Sequence, residues 1–463
     1  MSTYELGHQP LHVASPASAL LRAGHEVRAL DLGVEDWDPA LVTWADAVAL
    51  SVPMHTAMRL GLRAATAVRE QSPGTPICLY GLYAPVSRDA TVGRLVDRVI
   101  AGEYEPALVA WATQVAQGTA AVPPPGQVVH LGRGGFRTPA RHLLPPLDRY
   151  ARLVVDGEER LVGYTEASHG CAFRCRHCPV PTIYDGRTRI VAGDVVADDI
   201  DQLVAAGARH ITFGDPDFLG GAHHALRVVR ALHDRHPDIT FDCTTKIELI
   251  LRHREVWDEM AALGCLFVVS AVETVDDEIL ARLDKGHTAA EAVQAVKVVR
   301  ASGIELRPSL LPFTPWTTLE GLVELIDFVA ANDLVGNVDP VHYTIRLLLP
   351  EGSLLADHPD VVPHLDGYDS DRLGWRWRAA DPRVDELQEK LASVVEDHVA
   401  AGTPTGEVFL EVRALVRAAA GLAPDTDAGV VAAAAAGAGR PRLSEPWFCC
   451  AEPTEGQLAP LGD

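Results

Sequence analysis

The chain has 463 residues, too many for one ordinary hydrophobic core, so two or three domains are expected. Hydrophobic residues make up 48% of it and mean hydropathy is +0.07, a globular composition. The net charge of −23 argues against non-specific binding to nucleic acid or to an anionic membrane surface.

Residues 1–117 alternate helix-like and strand-like runs. SPASALLRAG reads as a helix, HEVRALDL as a strand, PALVTWA as a short helix and DAVALSVP as a strand. MRLGLRAATAVREQ has an amphipathic helical period, TPICLYG is a strand closed by Gly81, and DRVIAGE is a strand followed by the helix EPALVAWATQVAQ. Short strands alternating with helices predict a doubly wound, Rossmann-like α/β sheet, with ligands met at the strand carboxyl ends SVPMHT, LYGLY and AGEYE. The chain opens at what reads as the loop after a first strand; either the sheet is a strand short or the true start lies upstream.

Residues 118–158 are rich in Pro and Gly and read as a linker. A second alternating series follows over 159–375: LVGYTEAS, HITFGDPDF, ITFDCTTK, CLFVVSAVE, IELRPSLLP and VHYTIRLLLP as strands, with helices between them. Six β/α units predict a partial (β/α)6 barrel with its site at the strand carboxyl ends. Residues 376–463 form a helical extension: DPRVDELQEKLASVVEDHVAAG is a helix, and the Ala/Gly-rich stretch 418–440 reads as a flexible tether to RLSEPWFCCAEP.

No secretory signal is read in MSTYELGHQPLHV, which lacks a basic segment followed by an apolar one. The run VVAAAAAGAG is too short to span a bilayer. Cys78, Cys243 and Cys265 stand singly in apolar strand-like runs, as small hydrophobes do in a reducing compartment, so a cytoplasmic location is expected.

The other signal is ASHGCAFRCRHCPVPT at 167–182, where Cys171, Cys175 and Cys178 occupy eight positions in a loop leaving the first barrel strand. Three thiolates there can converge on one cofactor. Zinc with His169 or His177 as fourth ligand is one reading. A [4Fe-4S] cluster with one iron left open for substrate is the favoured one, because of the barrel context.

This C-x3-C-x2-C after the first strand of a partial barrel resembles the radical S-adenosylmethionine (SAM) superfamily. The resemblance implies that the open iron binds SAM and that an electron from the cluster cleaves it, commonly to a 5′-deoxyadenosyl radical. It implies His177 near the adenine, and Gly214 and Asp215, within Phe213–Asp217, near the SAM amino group. This turn departs from the family's usual GGE. SAVET resembles the family's GIES segment and places Glu273 near the ribose. Lys246 and Arg307 stand at strand ends, where each could meet a carboxylate or form an ordinary ion pair.

The doubly wound region ahead of such a barrel resembles the cobalamin-binding subclass, and DRVIAGEYEPALVAW its closing strand and helix. By that resemblance Ser51, His55, Gly81, Gly102 and Glu103 face the cofactor; no D-x-H-x-x-G motif supplies a cobalt-ligating histidine. The tail WFCCAEP resembles that of radical SAM proteins with a CUAEP or CCAEP ending, in which the position of Cys450 can be selenocysteine. This implies a working thiol pair, Cys449 and Cys450, for electron transfer or for binding a soft element.

The expected function is therefore SAM cleavage with cobalamin-dependent methyl transfer to a small molecule, the electron coming from a flavodoxin or ferredoxin, with neither nucleic acid nor membrane as partner. Two alternatives stay open at this point. One is transfer of the 3-amino-3-carboxypropyl group of SAM to arsenic or selenium held by the tail; the other is a non-catalytic iron–sulfur redox sensor.

Overall fold

The structure, a computed structural model, describes residues 1–86, 88–119, 128–132, 135–423, 428–437 and 439–445. The N-terminal elements are α1 (Leu11–Arg22), α2 (Pro39–Trp44), β1 (Val48–Ser51), α3 (His55–Gln71), β2 (Ile77–Tyr80), α4 (Arg88–Thr91), β3 (Arg98–Gly102), α5 (Glu105–Ala116) and β4 (Val129–His130). The sheet runs β1-β2-β3-β4, all parallel. Every residue of β2 is buried, as in a parallel sheet covered on both faces. Against it α3 lays Ala57, Met58, Leu60, Ala64, Ala65 and Val68, the stripe that its period foretold.

Two expectations need correction here. HEVRALDL forms no strand and meets the sheet only through a parallel bridge between Ser2 and Asp31. Residues 1–3 occupy the lane between it and β1, with Ser2 N donating to Leu30 O and Ser51 N to Met1 O, each at 2.9 Å. Among the described residues the rest of the stretch has no ladder partner; a cavity of about 300 Å3 continues the lane, walled by Leu20, Val27, Ala29, Val48, Ala49 and Trp111. The stretch 118–158 is also more than a linker. Within it β4 joins the first sheet, and β5 (Arg152–Val155) joins the second, because each finds an open sheet edge with free backbone groups.

The second domain continues with β6 (Glu158–Thr165), β7 (Ser168–Gly170), α6 (Val180–Tyr184), β8 (Thr188–Ile190), α7 (Gly193–Ala205), β9 (His210–Phe213), α8 (Ala222–Arg235) and β10 (Thr240–Thr244). Then come α9 (Ile247–Arg252), α10 (Trp257–Ala262), β11 (Cys265–Glu273), α11 (Asp277–Leu283), α12 (Ala289–Ala301), β12 (Glu305–Leu310) and α13 (Leu319–Ala331). Strands β6, β9, β10, β11 and β12 are successive parallel neighbours, the curled sheet of a half-barrel. The main core lies between this sheet and its helices, built on Ile211, Phe213, Phe241, Cys243, Val268 and Leu306.

The expected sixth strand, VHYTIRLLLP, shrinks to two isolated bridges, a parallel one between Phe313 and Arg346 and an antiparallel one between Pro350 and Gly374. Its carbonyls are taken elsewhere: Gln388 Nε2 donates to Thr344 O at 3.0 Å and Trp377 Nε1 to Leu347 O at 2.8 Å. Beyond it stand β13 (Leu365–Asp369), β14 (Gly374–Trp377), α14 (Pro382–Ala401), α15 (Thr405–Ala419), α16 (Ala428–Ala436) and β15 (Arg442–Leu443). The expected tether is thus corrected, because its small side chains let α16 lie close against α13 and α15. Next, β15 pairs antiparallel with β5 and brings Glu445 to Tyr4, whose hydroxyl donates to it at 2.7 Å. Among the described residues no helix is long and apolar enough to cross a membrane.

Candidate active site

The cysteine loop lies between the paired strands β7 and β8, and its short helix α6 packs into the N-terminal core. Val180, Ile183 and Tyr184 join Val52, Tyr83 and Ala84 there, with Cys171 and Cys178 against the same cluster. The loop therefore faces the strand carboxyl ends of the first sheet. It is stapled to the half-barrel as well: Arg176 N donates to Leu283 O at 2.9 Å and Arg176 Nη1 to Arg282 O at 2.7 Å, while Cys178 N donates to Cys175 O at 3.1 Å within the loop itself. Burial pushes the Cys171 thiol up to about 12. Cys175 is also raised by burial, with Lys285 and Lys246 acting the other way.

At the end of β11 the ladder with β12 shifts register between Ala271 and Glu273, and Glu273 adopts φ +64°. That conformation is costly for a residue with a side chain, and it marks a position the surroundings hold in place. The carboxylate is aimed inward. Its Oε1 accepts from His177 Nε2 at 3.0 Å and from Lys285 Nζ at 3.0 Å. Burial opposes the charge on Glu273, but Lys285 and His177 outweigh it and hold the carboxyl well below its ordinary range. A carboxylate only accepts, so His177 carries its proton on Nε2. The family resemblance placed His177 and Glu273 separately, one near the adenine and one near the ribose; the structure pairs them, and Lys285 completes the group. Sequence reading missed Lys285 because it falls in the turn after α11, outside every strand end.

Gly214 and Asp215 lie where expected, after β9, but their constraints come from the protein. A Cβ on Gly214 would stand 2.0 Å from the Tyr164 hydroxyl. Asp215 accepts from Ala167 N at 2.9 Å and Ser168 Oγ at 2.6 Å, which fixes the start of the cysteine hairpin. Burial lifts its pKa to about 7. The more available carboxylate is Asp217: Oδ1 accepts from Thr245 Oγ1 at 2.6 Å, while buried Oδ2 makes no hydrogen bond among the described residues. Lys246 Nζ lies 3.6 Å from the centre of the Phe173 ring, inside the cysteine loop. Arg307 is taken by Asp339 at 2.8 Å.

On the first domain, Ser51 Oγ donates to Glu5 at 3.4 Å. Gly81 and Gly102 both have positive φ; a Cβ on Gly102 would come within 2.2 Å of His130 O, so β4 already accounts for that glycine. His55 is buried, 5.9 Å from Tyr83 ring to ring, and neither of its ring nitrogens makes a hydrogen bond among the described residues. Burial, then Arg59, lowers its pKa to about 4, so the imidazole is neutral. Glu103 stands 3.4 Å from His169. Cys449 and Cys450 lie outside the described residues.

A chain of polar side chains crosses the domain boundary. His12 Nδ1 is 2.7 Å from the Tyr104 hydroxyl and its Nε2 3.4 Å from Glu166, which also accepts from Tyr164 at 2.7 Å and lies 3.3 Å from His169. Burial disfavours the His12 charge, yet Glu166 and Glu5 together raise its pKa to about 9. Burial likewise opposes ionisation of Glu166, but His12 and His169 bring it down to about 2. The sign follows from linkage. His12 contributes fully below its ordinary 6.5 and is lost as pH rises through 9; Glu166 contributes above 4.5 and is lost as pH falls through 2. Glu5, raised to about 7 by burial, also costs stability as pH climbs from 4.5. Burial opposes the charge on His169 too, but Glu103 and then Glu166 raise it to about 10, so it acts in the same direction. Thermal melts are therefore expected to show stability falling from pH 6.5 to 9, with Glu166→Gln removing the His12 share of that slope and leaving most of the His169 share, which Glu103 sets.

A half-barrel with a three-thiol loop at its strand carboxyl ends, facing a doubly wound domain, is the architecture of a cofactor-dependent α/β protein. Residues 165–329 match the model of the Radical SAM superfamily, and the chain carries a radical SAM domain over that span. The hopanoid C-3 methylase of Methylococcus capsulatus is 26% identical over 320 residues, 66% of this chain and 62% of that protein. The chain thus spans less than two thirds of that relative's length. The 4′-phospho-dehydrooxetanocin synthase of Priestia megaterium is 25% identical over 44% of this chain and 30% of its own. Among solved structures, the cobalamin-dependent radical enzyme OxsB with aqua-cobalamin bound superposes with a TM-score of 0.67 at 14% identity, covering 94% of this chain and 82% of that one. TsrM from Kitasatospora setae, with tryptophan and a SAM analogue bound, gives 0.59 at 20% identity over 75% and 72%. These superpositions agree with the two-domain α/β fold and its half-barrel.

Proposed function

We propose that the protein is a cobalamin-dependent radical SAM methyltransferase acting on a small molecule. The observation that carries this is the cysteine loop, seated between the Glu273 end of the half-barrel and the strand-end loops of the doubly wound domain, so that one segment serves both halves.

The residues present fit the groups this reading needs. Cys171, Cys175 and Cys178 offer three soft thiolates on one loop, and two buried lysines stand ready to offset their charge. Among the described residues no three metal-binding side chains are gathered into a closed metal site. When bound, the cluster would supply one electron, SAM the group that is cleaved, and cobalamin a methyl carrier. The chain's own work is positioning. Asp217 Oδ2 would accept a hydrogen bond from the SAM ammonium group and Glu273 from a ribose hydroxyl. Lys246 would meet a carboxylate, with Phe173 shielding it from water. Gly214 and Asp215 hold the cysteine hairpin in place beneath them. In the first domain the neutral imidazole of His55 fits a corrin or its side chains, while Ser51, Gly81, Gly102 and Glu103 frame the same strand ends. A ferredoxin or flavodoxin as donor and a cytoplasmic location complete the reading.

The test is anaerobic reconstitution of the full chain with iron, sulfide and cobalamin, followed by dithionite and SAM. The expected result is a retained corrin, several irons per chain, and 5′-deoxyadenosine or S-adenosylhomocysteine above a no-enzyme control. A chain that retains no corrin, or that forms methylthioadenosine as its main product, would overturn the methyltransferase reading.

A further inference from the structure

Of the 40 basic residues in the chain only four are lysines: Lys246, Lys285, Lys297 and Lys390. Lys297 and Lys390 are exposed on α12 and α14. The other two are buried, Lys285 to 3% and Lys246 to 9% exposure, and both border the cysteine loop. A chain that otherwise uses arginine thus places half of its lysines at one site, beside the cysteine loop.

The geometry ties Lys285 to that loop by two routes. Its Nζ donates to Glu273 Oε1, the oxygen that also accepts from His177, the neighbour of Cys178. The turn that carries it is joined to the loop backbone by Arg176 N and Leu283 O at 2.9 Å, and Asp284, in the left-handed region at φ +56°, closes α11 and leads the chain into Lys285. The lysine charge acts on both Cys175 and Cys178, and at Cys175 it outweighs the charge of Glu273. Lys246 reaches the same place from the end of β10: a Cβ on Gly286 would lie 3.7 Å from its Nζ.

We propose that Lys285, in opposition to Glu273, tunes the reduction potential of the cluster held by Cys171, Cys175 and Cys178. This rests on the radical SAM reading given above. The cluster gains one negative charge when it accepts an electron, and net local charge is one of the levers that set such potentials. A desolvated cation beside it favours the reduced form, and the carboxylate paired with that cation opposes it. Lys285 is a positioning and tuning residue here, touching neither substrate nor reacting atoms.

The experiment is a redox titration of the reconstituted full chain without SAM, dithionite supplying the electron and electron paramagnetic resonance reading the reduced cluster. Lys285→Met is expected to shift the reduced-to-oxidised ratio at fixed poise at least tenfold towards oxidised, about 59 mV for a one-electron couple. Glu273→Gln is expected to shift it the other way, and Lys285→Arg to stay near the wild type. A purely structural role would move Lys285→Met and Glu273→Gln together, or lower iron content in both without moving the potential. Either pattern overturns the proposal, as does a wild-type potential in a Lys285→Met chain with full iron. Should the wild-type chain itself hold no cluster, the functional reading fails first and the inference with it. If Lys285→Met does not fold, the sign of the Glu273→Gln shift still decides.

Discussion

Replacing Cys175 by alanine is expected to abolish cluster binding and, with it, reductive SAM cleavage by on the order of 10³-fold or more, the scale seen when a group central to the chemistry is removed. The fold should survive. The loop is held by backbone bonds that involve no thiol, from Arg176 to Leu283 and from Cys178 to Cys175 O, and the methyl of alanine keeps part of the side-chain volume. The same result is expected for Cys171→Ala and Cys178→Ala. Cys78→Ala is the control, since this cysteine is buried within β2 and makes its contacts with Tyr80 and Ile100 in the first domain. Iron content and SAM cleavage by mass spectrometry check the prediction. Wild-type iron and turnover in Cys175→Ala would remove it from the ligand set.

The second large effect concerns stability. Arg141 is 6% exposed and makes a two-pronged bond to buried Asp199, with Nε to Oδ1 at 2.9 Å and Nη2 to Oδ2 at 2.8 Å. It also donates to Tyr164 O at 2.6 Å and to Gln9 O at 3.3 Å, while Thr165 donates to Asp199 at 2.9 Å. One side chain thus joins the inter-domain stretch, the first domain and the strand that leads into the cysteine loop. Removing it leaves Asp199 charged and buried, which costs about 3–5 kcal/mol. Arg141→Met is therefore expected to lower the urea midpoint by a corresponding amount. Arg141→Met with Asp199→Leu should recover much of the loss, because the buried charge goes with its partner. A shift below about 1 kcal/mol in the single variant, the range of an exposed ion pair, would show that the pair is not what fixes the domains.

These two effects differ in how far the sequence could announce them. Cys171, Cys175 and Cys178 are legible because thiol chemistry needs a particular residue at a particular spacing, and the β/α alternation is legible because period 2 and period 3.6 follow from local geometry. Arg141 is not legible. It is one of 36 arginines, and only the fold brings it, across 58 positions of chain, to Asp199. The errors have the same origin. HEVRALDL has strand composition, but a strand needs a neighbour along its whole length, and among the described residues only 1–3 stand in the lane beside it. VHYTIRLLLP has it too, but Gln388 and Trp377 take the carbonyls a ladder would use. The stretch 418–440 has tether composition, but small side chains also permit a helix to settle closely against α13 and α15.

By itself, then, the sequence determined the β/α alternation and the half-barrel with its cysteine loop, which depend on residue type and short-range spacing; His177 and Glu273 became candidates through the family resemblance. The tertiary structure alone decided that Lys285 shares an oxygen of Glu273 with His177, that Asp215 braces the hairpin while Asp217 keeps an unsatisfied oxygen, and that His12, Glu166 and His169 meet across the domain boundary. The physical reason is that the strength of a buried charge is set by its partners and by the water excluded around it, and both are assembled from segments far apart in the chain.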